Sequence, residues 1–352
     1  MFSRPSADPA DDPVLSIVGL CLALDSLAAD LYTTIATAAE TESLKTFWRA
    51  MADEERAHAD LWERVAQAGR RDLLPPIFDD PQAVGESLER IMERARTSAG
   101  QWESRGVVSH PFVLACRLEL SMLHPAFATL FYFARAMLGV DFYTTYETHL
   151  DRFIQALQTH CDMTPELELL GETLQRLWRD NRLLTQYATH DELTGLLNRR
   201  GFWILARQLA YFSQRNGTSI GVMLLDLDDF RLVNERHGHP VGDRVLKGVA
   251  AAVQARLRRS DILGRYGGEE FLVFFPAIRP EGLAGVAEEV RRSIEQLVSD
   301  GVRVIASIGA TQGVIRAEPE AELTCLIAQA DRLLYAAKGA GKNQVKVEAV
   351  AG

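Results

Sequence analysis

The chain has 352 residues and a formal charge of −10, with 47% hydrophobic and 24% charged residues. That length suggests about two domains, and the balance describes globular units that can each bury a core. An acidic chain is a poor nucleic-acid surface, so an anionic ligand would have to be held by local cations. Residues 1–12, with Pro5, Asp8, Pro9, Asp11 and Asp12, have neither the basic nor the apolar region of a signal peptide and are expected to be disordered. No run supplies eighteen apolar residues for a membrane span: the longest, from Val14 to Leu24, is interrupted by Ser16 and Gly19 and ends at Asp25. A cytoplasmic chain without a membrane or nucleic-acid partner is expected. Cys21, Cys116, Cys161 and Cys325 show no paired spacing, so neither disulfides nor a zinc ribbon is implied.

Residues 13–161 repeat apolar positions at spacings of three and four, which predicts an all-helical sensor bundle with helices near 14–39, 43–68, 84–100, 110–137 and 141–161. Leu74 to Pro81 reads as a connector, and Pro125 should kink or break the fourth helix. Glu55 and His58 stand three apart on one helical face, a spacing that carboxylate-bridged di-iron bundles use. The surrounding segment resembles rubrerythrin-like sequences of the ferritin-like class. The resemblance implies a ferritin-like bundle holding iron through Asp25, Glu55, His58, Glu119 and Glu147. The set departs from that pattern, because Leu150 stands three after Glu147, His149 is off the matching face, and Asp25 is shorter than glutamate. A plain helical bundle with a solvated Glu–His pair is the alternative.

Residues 162–188 read as a linker helix. Leu167, Leu170, Leu174, Leu177, Asn181, Leu184 and Ala188 alternate three and four apart, an a/d seam with Asn181 where a buried amide would fix the register of a two-stranded parallel coil. The expected consequence is a homodimer through this helix; the alternative is an amphipathic helix packed on its own bundle.

Residues 189–352 mix strands expected at 220–226, 262–266, 271–275, 302–310 and 343–348 with helices near 198–214, 243–258, 281–299 and 322–338, giving an α+β chain overall whose last unit is a central sheet wrapped by helices. The apolar run from Ile220 to Leu225 ends in Asp226, Leu227, Asp228 and Asp229, with Asp226 and Asp228 on one face by the period of two. Gly267 and Gly268 separate two strand-forming runs. They predict a tight primed hairpin turn with both glycines at positive φ, carrying Glu269 and Glu270. Acids gathered in this way call for a divalent cation and suggest phosphate chemistry.

These blocks carry a resemblance that covers the last half of the chain. Asp191 to Arg200 (DELTGLLNRR), Asp226 to Asn234, Gly238 to Asp243, the Gly267 to Phe271 signature, Ser307 to Gly309 and Asp331 to Lys338 occur in the order and spacing of the GGDEF domain of diguanylate cyclases. The resemblance implies condensation of two GTP into cyclic di-GMP with release of two pyrophosphates, assisted by magnesium or manganese, two ions per active site. Asp226, the main-chain carbonyl of Leu227 and Glu270 would hold metal. Glu269 would assist deprotonation of the 3′-hydroxyl and touch the metal as well. Asn234 and Asp243 match the guanine-reading positions, His239 a nearby substrate contact, and Lys338 and Lys342 the triphosphate contacts. Lys342 stands where the family more often has arginine, which loses the bidentate fork. Arg258 and Asp261, five residues before the signature, resemble an inhibitory product site, with Arg291 as a second contact. Two other readings remain open: a catalytically silent GGDEF module that binds GTP or cyclic di-GMP, and a bundle that acts as an iron-dependent oxidase.

Overall fold

The computed structural model describes residues 12–69, 77–105, 110–138, 142–279 and 281–349. The expected disordered segment, Asp12 excepted, and Leu74 to Pro76 of the connector lie outside them. The chain divides between Thr185 and Gln186 into two compact units.

The first unit is helical: α1 (Pro13–Ala38), α2 (Glu42–Gly69), α3 (Pro81–Arg105), α4 (Pro111–Met122), α5 (Pro125–Leu138), α6 (Phe142–His160) and most of α7 (Pro165–Thr189). Proline opens five of these helices, where its missing N–H costs no hydrogen bond. Asp12 caps α1, its Oδ1 accepting from the backbone N–H of Val14 at 2.8 Å. Pro125 does break the fourth expected helix, separating α4 from α5. Around α1, the buried rings of Tyr32, Trp48, Trp62, Phe112, Phe127, Phe131 and Phe153 form the centre of the core.

α1 corrects one expectation. Its best 18-residue window has a mean hydropathy of 1.9, long and apolar enough to cross a bilayer, because such a window tolerates the isolated polar residues that ended the strict count. Half of that window is buried inside the protein. On α7, Gly171, Leu174, Trp178 and Asn181 form the buried face. Asn181 Nδ2 donates to the Leu123 carbonyl and Trp178 packs on Tyr146 at 4.7 Å, so this part of the seam serves its own bundle. Leu169, Leu177, Leu184 and Tyr187 are exposed.

The second unit continues with α8 (Arg199–Asn216), β1 (Ser219–Leu227), α9 (Phe230–His237), α10 (His239–Gln254), β2 (Ile262–Arg265), β3 (Glu270–Phe275), α11 (Gly282–Glu295), β4 (Val298–Ser299), β5 (Val302–Arg303), β6 (Ala306–Val314), α12 (Pro319–Gly339) and β7 (Val345–Ala349). The main sheet runs β2-β3-β1-β6-β7, with β6 and β7 parallel and the other pairs antiparallel. Alternation along β1 sends Met223, Leu225 and Leu227 into the core with α10 and α11. Ile220, Val222 and Leu224 enter the opposite core with α8 and α12. At Gly309 a Cβ would lie 2.1 Å from the Ala330 carbonyl, so glycine there lets α12 lie close on the sheet. With both faces covered, the polar ends of β1 and β3 are left to carry chemistry.

Candidate functional site

β1 delivers Asp226 opposite Glu270 on β3, and opposite Ser307 on β6. Asp226 is 7% exposed, whereas Glu269 and Glu270 are half-buried. The turn differs from the expected primed hairpin: the described positive-φ residues include neither Gly267 nor Gly268. The loop is longer, closing where Tyr266 N donates to the Glu270 carbonyl at 2.8 Å. At Gly267 an added Cβ would come 2.5 Å from Glu270 Oε2, the mobile end of that side chain, and at Gly268 the surroundings are open. The loop leans back on the strand end through Leu227 N, which donates to the Glu269 carbonyl at 3.3 Å.

Burial raises the pKa of all three acids. For Glu269 and Glu270 the charge of Asp226 adds to the rise, opposed by Lys338, whose Nζ lies 2.8 Å from Asp226 Oδ1. Three hard carboxylates, of which Asp226 raises the pKa of the other two, beside open backbone are a donor set suited to a divalent cation.

The neighbouring acids are structural. Asp228 accepts from Ser307 Oγ at 2.8 Å and from the Asn343 backbone N–H at 3.0 Å. Asp229, at φ 54°, holds Lys342 Nζ at 2.7 Å, and Lys342 and Asn343 are themselves left-handed. The two predicted triphosphate lysines are thus each held by a carboxylate of the β1 end. Asn234 sits on α9 with its Oδ1 over Gly242, where a Cβ would meet it at 1.9 Å. Asp243 and His239 are exposed on the first turns of α10. The helix begins at His239 after Gly238, four residues ahead of the expected start at 243, so Asp243 stands within it with its side chain exposed.

Arg258 and Asp261 come together, the Arg258 backbone N–H donating to Asp261 Oδ2 at 2.8 Å. Both line a cavity of about 280 Å³ with Arg256, Arg279 and Phe275. Arg291 does not line it: its guanidinium binds Glu288, Glu295 and Asn343. Sequence reasoning missed Arg265, which bonds Asp191 at 3.0 Å and the Gly268 carbonyl at 2.7 Å and so ties the signature loop to the segment that follows α7. Its adjacency to the two glycines was the available signal.

In the bundle, Asp25, Glu55, His58 and Glu119 are brought together and are 2% exposed or less. Glu147 is not with them. It lies 43% exposed and pairs with Arg182 at 2.9 Å, and His149 takes the buried place. The buried Tyr146, Leu150, Phe153 and Leu157 define the inner face of α6; residue 149 lies on that face and residue 147 is turned away from it. His149 Nε2 lies 3.1 Å from both Glu55 Oε1 and Glu119 Oε1, and its Nδ1 is 2.9 Å from Glu54 Oε2. His58 Nδ1 meets Glu55 Oε2 at 3.0 Å. Tyr32 donates to Glu119 at 2.7 Å and Trp62 Nε1 to Asp25 Oδ2 at 2.7 Å. Burial, then the Glu55 charge, pushes the Asp25 carboxyl well up. Burial also opposes ionisation of Glu55 and His149; for Glu55 the charge and hydrogen bond of His149, with His58, outweigh it and leave about 2, and for His149 the charges of Glu119 and then Glu55 outweigh it and leave about 10.

Residues 188–344 match the sequence profile of the family described as diguanylate cyclase, GGDEF domain. Diguanylate cyclase VdcA of Vibrio cholerae is 35% identical over 185 residues, covering 52% of this chain and 51% of that protein. The probable diguanylate cyclase DgcT of Escherichia coli is 35% identical over 175 residues, covering 48% of this chain and 38% of that protein. The chain therefore spans less than two thirds of either relative. Among solved structures, the coiled coil and GGDEF domain of DgcB from Caulobacter crescentus, in complex with c-di-GMP, aligns with a TM-score of 0.47 and 28% identity over 53% of this chain and 100% of that one. Residues 188–344 thus form a GGDEF-like domain that makes up less than half of the chain.

Proposed function

We propose that this protein is a diguanylate cyclase. Each GTP 3′-oxygen forms a bond to the α-phosphorus of the other nucleotide, pyrophosphate leaves, and two such steps give cyclic di-GMP. The observation that carries the reading is the pairing of Asp226 with Glu270 across β1 and β3, with Glu269 at the adjoining turn. Magnesium or manganese, two ions held by Asp226, the Leu227 carbonyl, Glu269 and Glu270, would supply Lewis-acid stabilisation of the charged phosphates. Glu269 accepts the hydroxyl proton, a role suited to a carboxyl whose pKa is raised by burial and by Asp226. Asn234 and Asp243 accept hydrogen bonds from the guanine edge, with His239 beside them. Lys338 and Lys342 exchange their carboxylate partners for phosphate oxygens.

One chain presents one such site, so cyclisation needs two copies face to face. The exposed Leu177 and Leu184 on α7 support a homodimer through that helix. Arg258 and Asp261 form the product-inhibition site, with Arg291 contributing from a second copy or after leaving its present partners. The helical unit regulates the cyclase, and the use of GTP assigns the catalytic unit to the cytoplasm. The test is chromatographic detection of cyclic di-GMP after incubating the full chain with GTP and Mg²⁺. Product that disappears in Glu269→Gln supports the cyclase; bound nucleotide without product would replace it with the silent receptor.

A further inference from the structure

Among the described residues, two groups of three could hold a metal ion: Asp25, Glu55 and His58, and Glu55, Glu119 and His149, each with ligand atoms within 4.8 Å of one another. Glu55 belongs to both. We propose that the bundle holds a dinuclear transition-metal centre in which Glu55 bridges two cations, one carried by Asp25 and His58 and the other by Glu119 and His149. This centre does not depend on the cyclase reading, because it is built wholly from α1, α2, α4 and α6.

Three observations point to a ligand rather than to a self-contained polar network. Asp25 Oδ1 and His58 Nε2 are buried and have no partner among the described residues, although Asp25 is 1% and His58 2% exposed. A network that served packing alone would leave neither group unpaired at that depth, where an unmade hydrogen bond is costly. His149 has the arrangement of a ligating imidazole, one ring nitrogen facing the carboxylate pair and the other backed by Glu54, which is itself held by Arg152. Finally, three carboxylates are buried with two imidazoles, a concentration of negative charge that a pair of divalent cations would offset. Mixed imidazole and carboxylate donors favour iron or manganese over magnesium, which prefers oxygen ligands, or over thiolate-seeking metals. Tyr32 and Trp62 orient Glu119 and Asp25 through the bonds already described.

The test loads the purified full chain anaerobically with ferrous iron alone in excess magnesium, so that the exposed cyclase acids are occupied, and counts tightly held iron after gel filtration. About two equivalents per chain are expected. His58→Gln and His149→Gln should each lose about one equivalent or weaken it ~10–100-fold, with helical circular dichroism retained. Glu147→Gln should retain both. Retention of helicity with no bound iron or manganese in the unaltered chain would overturn the proposal, as would undiminished iron in both histidine variants. Should one histidine variant fail to fold, the other and Glu147→Gln still decide the outcome.

Discussion

In the C-terminal unit Asp226, Glu269 and Glu270 meet at a strand end, two of them half open to solvent, with a lysine as the counter-charge. In the bundle Asp25, Glu55 and Glu119 are no more than 1% exposed and are countered by imidazoles. The difference teaches what each set can exchange. Lys338 is itself 37% exposed, so on the proposed cyclase reading it swings from Asp226 to an incoming phosphate, and metal and nucleotide enter and leave through the open side. His58 and His149 lie on helices packed round them and cannot withdraw without opening the core, so a cation there would be resident. One cluster is arranged for turnover and the other for retention.

The largest expected effect separates the two. Glu269→Gln should lower cyclic di-GMP formation ~10²–10⁴-fold by removing the proton acceptor. Its iron content should equal that of the unaltered chain, and a parallel loss of iron would break the distinction between the clusters. Arg258→Ala sharpens the comparison on the ligand side: the product concentration giving half inhibition should rise about tenfold or more, the equivalent of one lost charged hydrogen bond. Unchanged inhibition would remove the cavity beside Asp261 from that role. Asn181→Leu tests the bundle's packing without touching either cluster. It strands the buried Leu123 carbonyl and should destabilise the helical unit by ~1–3 kcal/mol in urea unfolding.

The legibility of the two regions in sequence differed for a physical reason. In the C-terminal unit the candidate chemistry sits at strand ends and turns, where short runs such as Asp226 to Asp229 and Gly267 to Phe271 record it contiguously, and the period of two assigns faces without ambiguity. Even there the turn type differs from expectation, because a glycine pair permits positive φ without requiring it, and neither Gly267 nor Gly268 is among the described positive-φ residues. The short helix α9 was missed since Arg231, Asn234, Glu235 and Arg236 leave it little apolar periodicity. In the bundle the donors come one or two per helix, and the face each presents depends on α6 rotating to bury Tyr146 and Phe153. Glu147 fits the spacing of the ferritin-like pattern, whereas the apolar seam of its own helix points to His149. Asn181 had the mark of a coiled-coil register residue, yet its amide finds a carbonyl in its own bundle.

The smallest expected effect concerns the tie between the signature loop and the segment after α7. Asp191 binds Arg265 at 3.0 Å and accepts from Thr194 N at 2.9 Å and Oγ1 at 2.6 Å. Burial opposes its ionisation, but the Thr194 bonds and Arg265 outweigh burial and hold its carboxyl below the ordinary aspartate range. A carboxyl whose folded pKa lies below its unfolded value contributes stability that is present above the unfolded pKa and is lost as pH falls through the folded one. Asp191→Asn should therefore cost about 1 kcal/mol or less at neutral pH, since both side chains keep some solvent contact, and the difference from the unaltered chain should shrink as the pH is taken into acid below the ordinary aspartate range. Because Arg265 also bonds the Gly268 carbonyl, the same variant should slow cyclisation modestly while leaving iron untouched. Denaturant unfolding at the two pH values, with turnover and iron measured on the same preparation, distinguishes this from a general loosening of the unit. A stability difference that persisted at low pH would assign the bond's contribution to shape and not to charge.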